Sequence, residues 1–202
     1  MAGVVMGRRE RKKPQSKQTI LAAAVKQFMA KGVKETSIAD IMGEAELGVG
    51  TFYNYFESKE ALLLCLLEQI VEDTRHLADR RMAERVPASD VLVETLLLTA
   101  EKLDANRFVL PLFLRAADRS SMPRPKRDMI PKMAPAFRSV FTDIVKYGQT
   151  RKDFRGDVPA EIVTELFHSI FQAAAVSSLA IPFTHNVKMK IELLLIGLEP
   201  KK

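Results

Sequence analysis

The sequence predicts an all-α protein, and three observations predict it. Strand-forming runs are sparse, while long stretches are rich in Ala, Leu, Glu and Lys, residues that lose little on entering a helix. Apolar positions recur at helical spacing, as in Ile20, Leu21, Ala24, Val25, Phe28 and Met29, which form one stripe. Helix punctuation brackets such stripes, here with Ser16 as N-cap and Gly32 as the C-terminal stop. At 202 residues, 47% of them hydrophobic, the chain suffices for one large domain or for a small module joined to a larger one. Its ten prolines and nine glycines fall in no low-complexity tract, which argues against global disorder.

Taken in order, residues 1–15 read as a disordered basic arm, and the first helix runs from about Ser16 to Gly32. A second, short helix opens at Thr36 or Ser37. Ser37 and Asp40 have capping-box spacing, and Ile38, Ile41, Met42 and Ala45 follow the helical period. A third helix is expected from Val49 to Phe56, with Phe52 and Phe56 facing inward and the polar tips of Thr51, Tyr53 and Tyr55 pointing elsewhere. Ser58 caps a fourth, longer helix that reaches about residue 85, before Pro87. Further helices are expected over 89–105, 107–118, 126–151, 158–181 and 186–198, with breaks where Pro111, Pro123, Pro125, Pro131 and Pro135 crowd the middle. Three short helices in some 40 residues, the last two joined by a tight turn, fit a helix-turn-helix.

Charge is unevenly placed. Residues 1–18 hold Arg8, Arg9, Arg11, Lys12, Lys13 and Lys17 against Glu10 alone, whereas residues 19–60 hold four lysines against six acidic residues. Such a tail either solubilises a disordered end or lies along a polyanion. The single Cys65 allows no intrachain disulfide and suits a cytoplasmic location; it reads as a core cysteine, with a redox sensor as the other reading. No secretory signal is evident, and no membrane span is expected, because no apolar run approaches the roughly 18 residues one needs. No Gly-rich phosphate loop, no nucleophile beside a base and no metal-ligand spacing among His76, His168 and His185 is seen, so neither an enzyme nor a cofactor or metal is expected.

The run Thr36-Ser-Ile-Ala-Asp-Ile41, followed by Gly50-Thr-Phe-Tyr-Asn-Tyr-Phe-Glu-Ser-Lys-Glu-Ala-Leu62, closely resembles the tetracycline-repressor (TetR/AcrR) family of bacterial regulators. The resemblance covers residues 16–62; beyond them the likeness is architectural. It implies an all-α homodimer with an N-terminal three-helix DNA-binding domain over 16–60. An effector-binding and dimerisation bundle would occupy 61–202. The implied partners are double-stranded DNA carrying a palindromic operator and a small effector, with no membrane. Carried over by motif, Ser37 caps the second helix and touches phosphate. Gly48, Val49, Gly50 and Thr51 lead the recognition helix into the major groove. Tyr53 and Tyr55 bond phosphate or base edges with help from Asn54, and Lys59 meets phosphate. Tyr53 and Tyr55 read otherwise as half-buried aromatics, and Gly48 and Gly50 as turn residues only. Glu46 stands where the family usually has Gly, and Gly48 where it usually has Ser; a positive φ at Glu46 would strain it by roughly 1 kcal/mol or more.

For the C-terminal part, Phe108, Leu112, Phe137, Phe141, Phe167 and Phe171 are candidate walls of an effector pocket, with Arg115 and His168 as polar handles. Each aromatic could equally be plain core, and His168 a satisfied core histidine. The last two helices are too apolar for a surface. Either they form an interior pair of a monomer, or Ile162, Leu166, Ile170, Ala173, Ala174, Leu194 and Leu198 make a four-helix dimer interface. The expected function is a repressor released from its operator by a mostly apolar effector. The alternatives are a ligand-independent activator or architectural DNA-binding protein, and a helical module whose basic tail binds acidic membranes.

Overall fold

The computed structural model describes residues 8–117 and 133–200, with side chains described for 15–114 and 137–200. Within them the chain is helical, with no strand. The helices are α1 (Arg8–Glu35), α2 (Ile38–Glu44), α3 (Val49–Phe52), α4 (Lys59–Ala83), α5 (Ala88–Ala105), α6 (Leu110–Ala117), α7 (Met133–Arg151), α8 (Ala160–Ala175) and α9 (Phe183–Leu198), with a 3-10 turn at Arg107–Val109. They form two compact units, 1–66 and 67–202. The boundary falls six residues beyond the expected 60/61 because the first turns of α4, with buried Leu62, Leu63 and Leu66, belong to the first unit.

In the first unit, α1 begins at Arg8, so residues 8–15 extend a helix in place of the expected disordered arm; Arg, Lys and Glu are good helix formers, and only Pro14 lacks an N–H. Ile20, Leu21, Ala24 and Phe28 are buried as the stripe predicts, while Met29, at its edge, is 67% exposed. Gly32 breaks the helix with φ +80°, a left-handed conformation open to glycine at little cost. The end of α2 is a Schellman motif: Leu47 N–H donates to Met42 O at 3.0 Å, and Glu46 N–H to Gly43 O at 3.2 Å. Glu46 fills the left-handed position of that motif at φ +54°, so the strain expected there is present.

α3 is shorter than expected. It stops at Phe52, and Tyr53 to Tyr55 continue as turns held by Asn54 N–H to Thr51 O and Tyr55 N–H to Phe52 O. Phe52 and Phe56 are both buried, as their spacing requires, with ring centroids 5.5 Å apart. Ser58 caps α4, its hydroxyl accepting from Ala61 N–H at 3.2 Å. Cys65 is half-buried on that helix, more open than a core cysteine.

The second unit is a bundle in which α5 packs on α7 and α9, and α8 on α6, α7 and α9. Val91, Leu92, Leu96, Ala100 and Leu103 of α5 meet a core that includes Val140, Phe141, Ile144, Val163, Phe167, Val187 and Ile191. Ion pairs fasten α4 at the surface: Lys102 to Asp73 at 2.6 Å, Arg75 to Asp143 at 2.6 Å and Arg81 to Glu94 at 2.6 Å. α8 ends at Ala175 instead of continuing to 181. Ser177 Oγ accepts from Leu179 N–H and from Asn186 Nδ2, so a local turn outcompetes the helix, and Pro182 opens α9 three residues earlier than expected. The expected helical segment at 126–132 and Pro123, Pro125 and Pro131 lie outside the described residues.

Close packing explains one glycine of α7. A Cβ at Gly148 would lie 2.3 Å from the Phe154 ring and 2.7 Å from Ala88 Cβ. Gly148→Ala is expected to destabilise the protein by about 1–3 kcal/mol, read from urea denaturation, because Phe154 is buried with no room to retreat.

Candidate nucleic-acid interface and effector site

The α2–α3 corner is built by short-range chemistry. The Ser37–Asp40 capping box is complete: Asp40 N–H donates to Ser37 Oγ at 3.0 Å, and Ser37 N–H donates to Asp40 Oδ2 at 2.9 Å. The Ser37 hydroxyl donates its one proton to Asp40 Oδ2 at 2.7 Å. The capping role expected of Ser37 is therefore present, but that proton is already engaged, which leaves none to offer a phosphate in this geometry. The same hydroxyl, followed by the Ser37 N–H and Lys31, holds the Asp40 carboxyl well below the usual carboxylate range.

The leading end of α3 is open. Gly48 is its N-cap without a side-chain bond, and Gly48, Val49 and Gly50 are exposed, with Val49 at 47%. Thr51 and Tyr55 are half-buried, and Tyr53 and Asn54 are exposed. Tyr53 sets its ring edge-on to Phe52 at 5.5 Å, so buried Phe52 supports an outward tyrosine. One helix end and the turn after it thus present Val49, Thr51, Tyr53 and Asn54 together.

Lys59 is placed differently from the expectation. Its Nζ donates to Val33 O at 2.6 Å and to Thr36 O at 2.7 Å, with Lys34 O at 3.5 Å. The ammonium caps the C-terminal carbonyls where α1 gives way to α2, and the Thr36 hydroxyl adds a bond to Gly32 O at 2.7 Å. Lys59 is a positioning residue here, not a phosphate contact. The signal missed in sequence is the bent end of α1, whose carbonyls need a donor from a distant residue. Lys26 and Lys31 are also occupied, with Glu44 at 2.5 Å and Asp40 at 2.9 Å. Three of the four lysines between residues 19 and 60 therefore already hold partners within this unit.

In the second unit, four predicted pocket residues come together. Phe137 and Phe141 of α7 and Phe167 and Phe171 of α8 form a chain of ring contacts: 4.8 Å for 137–141, 5.7 Å for 141–167 and 6.3 Å for 137–171. Phe113 of α6, missed in sequence, joins it at 4.7 Å from Phe137 and 5.3 Å from Phe171; Phe183 reaches Phe171 at 6.4 Å. Phe108 and Leu112 are half-buried, and the side chain of Arg115 lies outside the described residues. No group of three or more His, Cys, Asp or Glu that could hold a metal occurs among the described residues. No helix among them is long and apolar enough to cross a membrane.

The expected dimer residues divide. Ile162, Leu166 and Ala173 are exposed and Leu194 is half-buried, but Ile170, Ala174 and Leu198 are buried within the chain, since they point toward the opposite side of their helices. Val176, Leu179, Met189, Leu193 and Ile196 are exposed apolar residues outside the expected set.

A short capped helix, a tight Schellman turn and an open helix end with outward polar and aromatic groups define a helix-turn-helix DNA-binding protein. Residues 20–66 match the family described as "Bacterial regulatory proteins, tetR family". The chain belongs to that family of transcriptional regulators, which are not enzymes. It is 34% identical over 91 residues to YvdT, an uncharacterized HTH-type transcriptional regulator of Bacillus subtilis, covering 43% of this chain and 47% of that protein. It is 40% identical over 60 residues to the likewise uncharacterized regulator YuxN of the same organism, covering 30% of this chain and 21% of that protein. The matched stretch thus spans less than half of either relative. Among solved structures, a TetR-family regulator from Syntrophomonas wolfei aligns with TM-score 0.65 and 26% identity over 92% of this chain and 97% of that one. The fold is shared with Thermus thermophilus FadR, a repressor solved with lauroyl-CoA, at TM-score 0.65 and 22% identity over 92% and 96% of the two chains. It is shared also with Bacillus subtilis FadR, solved with stearoyl-CoA, at TM-score 0.68 and 16% identity over 90% and 99%.

The capping box yields a pH prediction. The folded-state pKa of Asp40 is depressed, so its contribution to stability is full above the unfolded carboxylate range and is lost as pH falls toward the lowered folded value. Asp40→Asn is expected to unfold at lower urea than the wild type at neutral pH. The gap should narrow steadily on acidification to about pH 3. A gap that does not depend on pH would detach the effect from the carboxylate.

Proposed function

We propose that the chain is a homodimeric repressor that binds a palindromic operator through α3 and is released by a small, mostly apolar effector. The observation that carries the DNA-binding reading is the exposed leading end of α3, where Val49, Gly50 and Thr51 follow an N-cap without a side chain. A methyl-bearing pair with glycine between lets backbone approach the bases, and Val49 and Thr51 can pack on thymine methyls. Tyr53 and Asn54 offer donors to phosphate or base edges.

Because most lysines of the module are occupied internally, the attraction to phosphate is assigned to the basic arm. Arg8, Arg9, Arg11, Lys12 and Lys13 lie on the N-terminal extension of α1. Dimerisation is assigned to a stripe on α8, Ile162, Leu166, Ala173 and the following Val176, together with Met189, Leu193 and Ile196 on α9. Leu193 is 71% and Val176 81% exposed, more apolar surface than a monomer leaves open without a use. The aromatic cluster of α6, α7 and α8 supports an apolar effector, and the acyl-CoA ligands of the two FadR structures make long acyl chains its first candidates. Release is a population shift between dimers whose recognition helices do and do not match successive major grooves, and by linkage operator DNA weakens effector binding by the same factor.

Selection from random duplexes, followed by fluorescence anisotropy, is expected to enrich a palindrome bound by a dimer. Deleting residues 1–13 should then flatten the dependence of log affinity on log salt, by about 0.9 for each phosphate that the arm no longer neutralises. An unchanged slope would remove the arm from the interface, and no enriched sequence from folded protein would remove the operator reading. Leu166→Glu with Leu193→Glu should sediment as a monomer and bind the operator more weakly, since both residues are exposed in the single chain. A persistent dimer would place the interface elsewhere.

A further inference from the structure

His168 lies on α8 between buried Phe167 and the ring cluster, half-buried, with its ring centroid 5.6 Å from that of Phe113. It donates one ring N–H to the backbone carbonyl of Leu114 on α6. Its Nε2 is buried and has no hydrogen-bond partner among the described residues, which leaves Nδ1 as the donor. Burial, and then the positive charge of Arg138, push the His168 pKa down, so the imidazole is neutral at physiological pH. A neutral imidazole that donates through Nδ1 has a bare lone pair on Nε2 and can only accept there. The rings packed around it, Phe113 with Phe137 and Phe171 behind, have no polar hydrogen to give. An unpaired buried acceptor costs free energy, and such exceptions in a folded protein call for a partner.

We propose that His168 Nε2 is the specificity determinant of the effector site, accepting a hydrogen bond from a hydroxyl or amide N–H on an otherwise apolar molecule lodged against Phe113, Phe137 and Phe171. The inference rests on the effector reading above and narrows it. A plain hydrocarbon leaves the nitrogen unpaired, and a bare carboxylate sets a lone pair against a lone pair. An apolar compound with one donor at the right depth satisfies both the rings and the imidazole. Sites built to bond a particular hydroxyl discriminate strongly against analogues that lack it, because the protein's own polar atom is then left unpaired.

The test uses two isomers of one formula, dodecanol and methyl undecyl ether, on the full chain labelled with nitrogen-15. Long-range proton–nitrogen correlation is expected to report a bare Nε2 at His168 in the free protein. Dodecanol should move that resonance toward the hydrogen-bonded range and the ether should leave it in place. Titration should show dodecanol binding tighter than the ether by on the order of tenfold. That preference should vanish in His168→Phe and persist in His168→Gln, whose side-chain carbonyl restores an acceptor and whose folding is checked separately. Equal affinity for the two isomers in the wild type overturns the inference and leaves the apolar-effector reading standing. So does an Nε2 already hydrogen-bonded in the free protein. Binding of neither isomer by folded protein overturns that reading and this inference with it.

Discussion

The first unit depends on how α1 is made to stop. A helix leaves its last carbonyls without partners, and here that end lies in the fold, not in water alone. Gly32 turns the chain at φ +80°, the Thr36 hydroxyl takes Gly32 O, and the Lys59 ammonium takes Val33 O and Thr36 O. One side chain from the start of α4 therefore fixes where α1 ends and where α2 can begin. The capping box then starts α2 just beyond Thr36, and the geometry of α3 follows from that start.

The turn into α3 carries a local conflict. A Schellman ending to α2 needs a left-handed residue, and the chain supplies Glu46 where glycine would sit without strain. Strained positions of this kind concentrate at functional sites, and this one immediately precedes the open helix end. The electrostatics are similarly divided. Lys26, Lys31 and Lys59 serve the folding of the module, tying α1 to α2 and α4, so they contribute little free positive charge outward. A DNA-binding module whose own lysines are engaged in this way gains from a separate cationic segment, and the chain has one at Arg8–Lys13.

In the second unit, α8 and α9 have apolar residues on more than one side. One side of α8 gives Val163, Phe167, Ile170 and Phe171 to the core and to the ring cluster, while Ile162, Leu166, Ala173 and then Val176 remain outside. A chain that exposes so much apolar surface in register has either a second copy or an aggregation problem. The ring cluster holds the other feature without a local explanation, the unpaired Nε2 of His168. Both features are consistent with a regulator that assembles through one side of α8 and senses a ligand through the other.

Much of this is legible in the sequence because it is local. The α1 stripe, Gly32, the Ser37–Asp40 box, the inward pair Phe52 and Phe56, the cap at Ser58 and the strained Glu46 all follow from spacing and backbone sterics within a few residues. The ring cluster is legible in part, since Phe137, Phe141, Phe167 and Phe171 share helical spacing; Phe113 and Phe183 are not, because only packing brings α6 and α9 to them. The lengths of α3 and α8 differ from expectation where turn hydrogen bonds at Thr51–Tyr55 and Ser177 override helix propensity. The sequence by itself determined an all-helical chain with a helix-turn-helix at its start, because caps, periods and turns act over a few residues. The tertiary structure alone decided that Lys59 faces carbonyls, that Ile170, Ala174 and Leu198 lie inside while Leu193 lies outside, and that one histidine nitrogen has no partner among the described residues. Each of those depends on which distant element fills the space beside it, and no local rule specifies that.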